Sequence, residues 1–187
     1  MEDFFNSIAQ LTRLTDEGRD ELAAIINIKK VNKGDILVRE NTICNYVYYI
    51  KQGLTRTFYY KDGKDVTDWI SMDGDFATSI VSFISRKPDR RIIEALENST
   101  LYALHHDKLE ELYSQYHDLE RLGRLLINNG LIQMQQRFDD LHFTTAKERY
   151  TQLMLTRPNL IQRVPLGHVA SFLGVTQETL SRIRSQA

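Results

Sequence analysis

Residues 169–176 read VASFLGVT and run straight into QETLSRIRSQA, 177–187. Two helices that cross steeply need a small residue where they touch, and Ala170 supplies one. They need a turn residue tolerant of positive φ, which Gly174 provides, and apolar pins beyond the turn, here Val175, Leu180 and Ile183. That combination predicts a helix-turn-helix. With those pins turned inward, the second helix directs Thr176, Gln177, Glu178, Ser181 and Arg182 outward. Such side chains suit a major groove: arginine grips guanine O6 and N7, glutamate accepts from cytosine N4, and hydroxyls hold phosphate. Glu178 and Arg182 stand at i and i+4 and share a face. Taken alone, they amount to an exposed intrahelical pair worth a few tenths of a kcal/mol, about the usual value.

The preceding chain gives that pair its context. Phe4, Phe5, Ile8, Leu11 and Leu14 recur at helical spacing, and Thr15 precedes DEGRDELAAII, whose early acids favour a helix N-terminus. From Ile28 to about Leu104 the sequence is rich in Val, Ile, Tyr and Thr. Turn signals at Lys33-Gly34-Asp35, Asp62-Gly63-Lys64 and Asp73-Gly74-Asp75 punctuate it. Short strands with close turns imply an antiparallel sandwich or barrel, and KDGKD between TFYY and VTDWI marks a hairpin. Helical period returns after Asp107: Leu119, Leu122, Leu126, Gly130, Met134, Phe138 and Leu141 lie three or four apart over about six turns. A helix accepting Gly123 and Gly130 suits close approach of another backbone, so this face is expected to be a seam between two copies. Beyond Phe143 the reading is helix, linker, short helix, tight turn, short helix.

Composition narrows the class. At 187 residues, with 42% hydrophobic and 26% charged residues, a sizeable core needs no staples. Cys44 is the only cysteine, which excludes an intramolecular disulfide and a multi-thiolate cluster. No basic-then-apolar leader opens the chain and no apolar run is long enough to span a membrane, so a cytoplasmic location is expected. The net charge is −1, but it is unevenly spread. From Thr145 onward six basic residues face two acids, +4, which leaves −5 on the rest. A basic module tethered to an acidic one fits that division.

Together these segments resemble the family of the cyclic-AMP receptor protein and the Fnr oxygen regulator over nearly the whole chain. The recognition-helix core of that family, Glu-Thr/Ser-x-x-Arg, is matched by Glu178-Thr179-Leu180-Ser181-Arg182, and VASFLGVTQ matches the helix and turn before it. Lys33-Gly34-Asp35 and Tyr49-Ile50-Lys51-Gln52-Gly53-Leu54 follow the family's barrel cadence. The resemblance implies an α+β fold: a jelly-roll effector domain over 1–115, a long dimerisation helix over 116–143, and a helix-turn-helix domain over 144–187, winged-helix-like with the wing short or absent. It implies a homodimeric transcription regulator, not an enzyme, bound to near-palindromic double-stranded DNA, with RNA polymerase as a further partner. Glu178 and Arg182 would read bases, with Thr176, Gln177, Thr179 and Ser181 positioning the helix or touching adjacent bases. Lys147, Arg163 and Arg184 are the candidate phosphate contacts. Leu119, Leu122, Leu126, Gly130, Met134 and Phe138 would line the dimer interface.

The sequence departs from the family where a cyclic nucleotide would bind. Family binders carry Gly-Glu-Leu and, about ten residues later, Arg-Ser or Arg-Thr. Here Thr78-Ser79-Ile80 replaces the first, and Arg90-Arg91-Ile92 stands near the second without the following hydroxyl. The carboxylate for the ribose is gone, so tight cyclic-AMP binding is not expected, and no cofactor is assigned. His105 and His106 are expected on a strand, pointing to opposite faces; with His117, His142 and His168 scattered, no metal-ligand spacing emerges. No catalytic or metal site is expected, which disfavours a cupin-type enzyme. The sequence ends at Ala187, where many family members continue into a β-wing; either this branch does without the wing or the sequence is cut short. Acidic overall charge, and a wing that is absent if the chain does end there, favour one competing reading, a signalling module whose C-terminal helices contact protein instead of DNA.

Overall fold

The computed structural model describes residues 1–185; Gln186 and Ala187, and with them the expected ending of the chain, lie outside the described residues. Two short helices open the chain, α1 (Glu2–Ala9) and α2 (Asp16–Ala24). Thr15 caps α2 by accepting from the Gly18 amide, as a threonine does when the first-turn N–H groups lack partners. Strands β1 (Asn27–Val31), β2 (Ile36–Val38), β3 (Tyr46–Gln52), β4 (Leu54–Lys61), β5 (Lys64–Met72) and β6 (Phe76–Ala77) follow. After α3 (Ile80–Ser85) come β7 (Ile92–Ala95) and β8 (Ser99–His105). They form two antiparallel four-stranded sheets, in orders β1-β8-β3-β6 and β2-β7-β4-β5. This is a jelly roll, with Ile50, Ile93, Leu101 and Ala103, each 0% exposed, filling the space between the sheets.

The predicted hairpin joins β4 to β5 through Asp62 and Gly63, both at positive φ, the backbone twist that a two-residue hairpin turn requires. One prediction on a strand is corrected. His105 ends β8, but His106 opens α4 (His106–Gln115), because the His105 ring accepts from the Asp107 amide and caps that helix.

The long helix α5 (His117–Phe143) spans 27 residues. Its first third is part of the chain's own core. Leu119 and Leu122, 0% and 4% exposed, pack with Phe4, Ile8, Leu22, Tyr102 and Leu112, and Leu126 lies against the same cluster. The expectation that Leu119 and Leu122 face a second copy is therefore corrected: α1, α2 and α4 occupy that side. Gly123 is explained within one chain, since a Cβ there would meet the Tyr113 ring at 2.8 Å; one on Gly130 would lie in ordinary contact, 3.7 Å from Ile80 Cδ1, so nothing within the chain requires glycine there.

Helices α6 (Ala146–Thr156), α7 (Pro158–Arg163), α8 (Leu166–Phe172) and α9 (Gln177–Ser185) complete the fold. Thr145 and Glu148 form a reciprocal capping box at the start of α6, and Pro158 opens α7. These helices share a core with the barrel: Leu54 of β4 and Ile70 of β5 pack with Tyr150, Leu160, Val169, Leu173 and Leu180. The chain is thus an α+β protein in which the C-terminal helices sit directly on the outer face of one sheet.

Candidate nucleic-acid interface and effector pocket

The turn between α8 and α9 follows from its sequence. Gly174 adopts φ +69°, and the Val175 amide donates to the Ala170 carbonyl at 3.0 Å. Thr176 then accepts from the Thr179 amide at 3.2 Å, capping α9. Leu180 is 0% exposed among Val169, Ala170 and Leu173, which fixes the rotation of α9. Thr176, Gln177, Glu178, Ser181, Arg182 and Arg184 consequently lie exposed; Thr179 is half-buried beside the Thr176 hydroxyl. Gln177, Glu178, Ser181 and Arg182 line one shallow groove with Leu166 and Ser185. The Glu178 carboxyl is held below the usual range by its own backbone amide and the Thr176 hydroxyl. Among the described residues, Glu178 and Arg182 form no ion pair with each other. Their charged ends face solvent.

Lys147 is exposed on α6. Arg163 is differently placed. Its guanidinium binds Asp73, donates to Glu97 Oε1 at 2.6 Å, and reaches the Gly53 carbonyl at 2.9 Å. These partners raise the Arg163 pKa, Glu97 first and Asp73 next. In this arrangement its charge is spent on the barrel, not offered to a phosphate.

Arg163 is one of several links between barrel and C-terminal helices that sequence reasoning missed. Arg157 Nη1 lies 2.7 Å from Asp75 Oδ2. The Thr67 amide of β5 donates to Ser171 Oγ at 2.9 Å, and Arg56 Nη1 lies 2.8 Å from His168 Nδ1. Trp69 meets Phe172 edge-on, with ring centroids 6.4 Å apart. From the α5 side, Arg137 stacks over Phe172 and donates to its carbonyl at 2.7 Å. The only sequence signal was the acidic turn Asp73-Gly74-Asp75 opposite a basic C-terminal segment, and it reads equally well as an ordinary loop.

Of the effector-pocket candidates, the structure brings Ser79 and Arg91 together, both on Asp89, and commits their donors internally. Ser79 Oγ donates to Asp89 Oδ2 at 2.6 Å, and Arg91 Nη1 reaches the same oxygen at 3.1 Å. Arg91 Nε binds Asp68 at 2.7 Å. Arg90 lies exposed with its guanidinium over the Tyr59 ring at 4.5 Å. Thr78 donates to the Tyr46 carbonyl, and Ile80 covers Gly130. Burial works against the Asp89 charge, but Ser79, Arg91 and the Arg90 amide hold its carboxyl below the usual range. A carboxylate of the chain itself thus takes the hydroxyl and guanidinium that an anionic ligand would need.

Past Leu126, α5 emerges from the core. Ile127, Leu131, Met134, Phe138 and Leu141 are all exposed, at 40%, 65%, 45%, 52% and 39%. Their spacing is four, three, four, three, the repeat of a coiled-coil seam. The apolar periodicity read from the sequence joined this stripe to the buried Leu119–Leu122 face.

Comparisons with known proteins agree with this architecture. Residues 28–116 match the family described as "Cyclic nucleotide-binding domain". No curated protein matches the chain in sequence. Among solved structures, FixK2 from Bradyrhizobium japonicum is similar with TM-score 0.74 at 20% identity, covering 87% of this chain and 84% of that one. A protein from Eubacterium rectale assigned to the crp/fnr family of transcriptional regulators gives TM-score 0.71 at 16% identity, over 92% and 83%. CLP from Xanthomonas campestris, a c-di-GMP responsive global regulator, gives 0.70 at 15% identity, over 92% and 91%. The chain has the fold of the Crp/Fnr regulators: a cyclic-nucleotide-binding-type jelly roll, a long helix and a C-terminal helix-turn-helix. No described helix is long and apolar enough to cross a membrane.

Proposed function

We propose that the protein is a sequence-specific DNA-binding transcription regulator of the Crp/Fnr type, cytoplasmic and non-enzymatic, acting as a homodimer. In this reading residues 1–115 are the effector domain, 116–143 the dimerisation helix and 144–187 the DNA-binding domain. One observation carries it: α9 is locked in rotation by the buried Leu180 while Glu178, Ser181 and Arg182 remain exposed and unpaired with one another on a groove. Arg182 and Glu178 read bases, Thr176, Gln177, Thr179 and Ser181 position the helix, and Lys147 and Arg184 meet phosphates. Two copies pair through the exposed Leu131, Met134 and Phe138 stripe and present recognition helices about 34 Å apart, to a near-palindromic operator. RNA polymerase is the partner through which such a regulator acts. The effector domain does not bind cyclic AMP tightly, since Asp89 already occupies Ser79 and Arg91.

Selection from a random duplex library by the purified protein, without added effector, tests this. Enrichment of a palindrome with half-sites about one helical turn apart supports the assignment. Failure to enrich any sequence, with and without candidate effectors, overturns it in favour of a protein partner for the C-terminal helices.

A further inference from the structure

Arg56 is an arginine inside a wall of the barrel, 5% exposed. Its guanidinium has a fixed set of N–H directions, and three of its corners are taken. Nε binds Glu94 of β7, Nη2 binds Asp65 of β5 at 3.0 Å, and Nη1 points to His168 Nδ1 at 2.8 Å. A guanidinium only donates. His168 Nδ1 must therefore accept, which fixes the ring as the neutral tautomer with its proton on Nε2. An imidazolium carries N–H on both nitrogens and would set donor against donor at this contact. One turn along α8, Ser171 receives the Thr67 amide, and Phe172 receives Trp69. All three contacts attach α8 to the β4–β5 hairpin.

We propose that Arg56 and His168 form a proton-operated latch between the barrel and the C-terminal helices, closed while His168 is neutral and opened when it takes a proton. The proposal concerns the position of α8 and holds whatever α9 recognises. The groups facing His168 are Arg56 from β4, Asp65 from β5 and Glu94 from β7. α8 carries no other titratable side chain, and the charged groups of α9, Glu178, Arg182 and Arg184, are exposed. Burial, then the Arg56 charge, pulls the His168 pKa below its ordinary value, and the two carboxylates only partly offset this. The docked state thus disfavours the proton. Latch stability is fully present above the undocked histidine value of about 6.5 and declines as pH falls through the lower, docked value. One unit below the undocked value, docking weakens by up to about tenfold.

Trp69 is the only tryptophan, so its fluorescence reports on the Phe172 contact. The test is a pH titration of Trp69 emission in the full chain and in His168→Gln, which keeps an acceptor but does not titrate, with circular dichroism confirming the fold. A transition on the acid side of about pH 6.5 in the wild type, absent from His168→Gln, is the expected result. The same transition in both proteins, or none in a folded wild type, overturns the latch. Should His168→Gln fail to fold, protection of the Thr67 amide against hydrogen exchange in the wild type decides. Loss of up to about tenfold on acidification, with the remaining β5 amides unchanged, supports the latch; constant protection refutes it.

Discussion

Ser79 Oγ and Asp89 Oδ2 stand 2.6 Å apart, so a carboxylate of the chain itself already holds a hydroxyl named as an effector-pocket candidate. The wild-type protein is expected to give no saturable heat with cyclic AMP in titration calorimetry, and saturable binding would refute the self-occupied pocket. Replacing Asp89 by Asn should lower stability by about 1–3 kcal/mol near neutral pH, since Ser79 and Arg91 lose a charged acceptor. The sign with pH follows from a depressed native pKa. The contribution is complete above the unfolded aspartate value of about 3.9 and is lost as pH falls through the native value. Denaturation curves of wild type and Asp89→Asn should therefore converge in acid.

Arg182→Ala should lower affinity for a matched operator by about 1–3 kcal/mol per half-site while leaving mismatched duplexes nearly unaffected, as read by fluorescence anisotropy. Lys147→Ala should instead weaken binding to all duplexes and reduce the salt slope by about 0.9 per lost contact in each subunit.

Arg163→Ala distinguishes a docking residue from a phosphate contact. Because its guanidinium is held by Asp73, Glu97 and the Gly53 carbonyl, its loss should expose Trp69 to solvent quenchers and leave the salt slope of DNA binding unchanged. A flatter slope with Trp69 still shielded would return Arg163 to the phosphate-contacting set.

The two ends of α5 should separate stability from association. Leu122→Ala, in the core, should cost about 2–5 kcal/mol in denaturant unfolding. Leu131→Glu, at a side chain 65% exposed, should leave the folded chain intact but yield monomers in sedimentation velocity. A dimer that survives Leu131→Glu and Phe138→Glu together would exclude this stripe as the seam.

Gly174→Ala forces an L-residue to φ +69° and brings its Cβ to 2.9 Å from Leu141 Cδ2. The backbone cost alone is about 1–2 kcal/mol, so Tm should fall by about 2–8 °C. Leu141→Ala in the same chain should recover the steric part only.

The helix-turn-helix and the jelly roll were legible because local rules carry them. Gly174 can take the turn conformation, Leu180 sits on the inner face of α9, and Asp62-Gly63 closes a hairpin. The division of α5 was not legible: Leu119 and Phe138 are equally apolar, and only the packing of α1 and α2 decides which of them is covered. The pocket could be read in part, since the absence of the Gly-Glu-Leu pattern was visible while Asp89 as its internal occupant was not. Its partners Ser79 and Arg91 are ten and two residues away, and nothing in their spacing marks a contact. His168 looked like one of five unrelated histidines because Arg56, 112 positions earlier, gives no local sign of facing it.

At about 1.5 Å per residue, the 27 residues of α5 reach about 40 Å. One end is held among α1, α2 and α4 by Leu119 and Leu122; at the other, Leu141 bears on the turn at Gly174. One unbroken helix therefore sets the span between the cluster at Leu119 and the turn at Gly174, with no loop inside it.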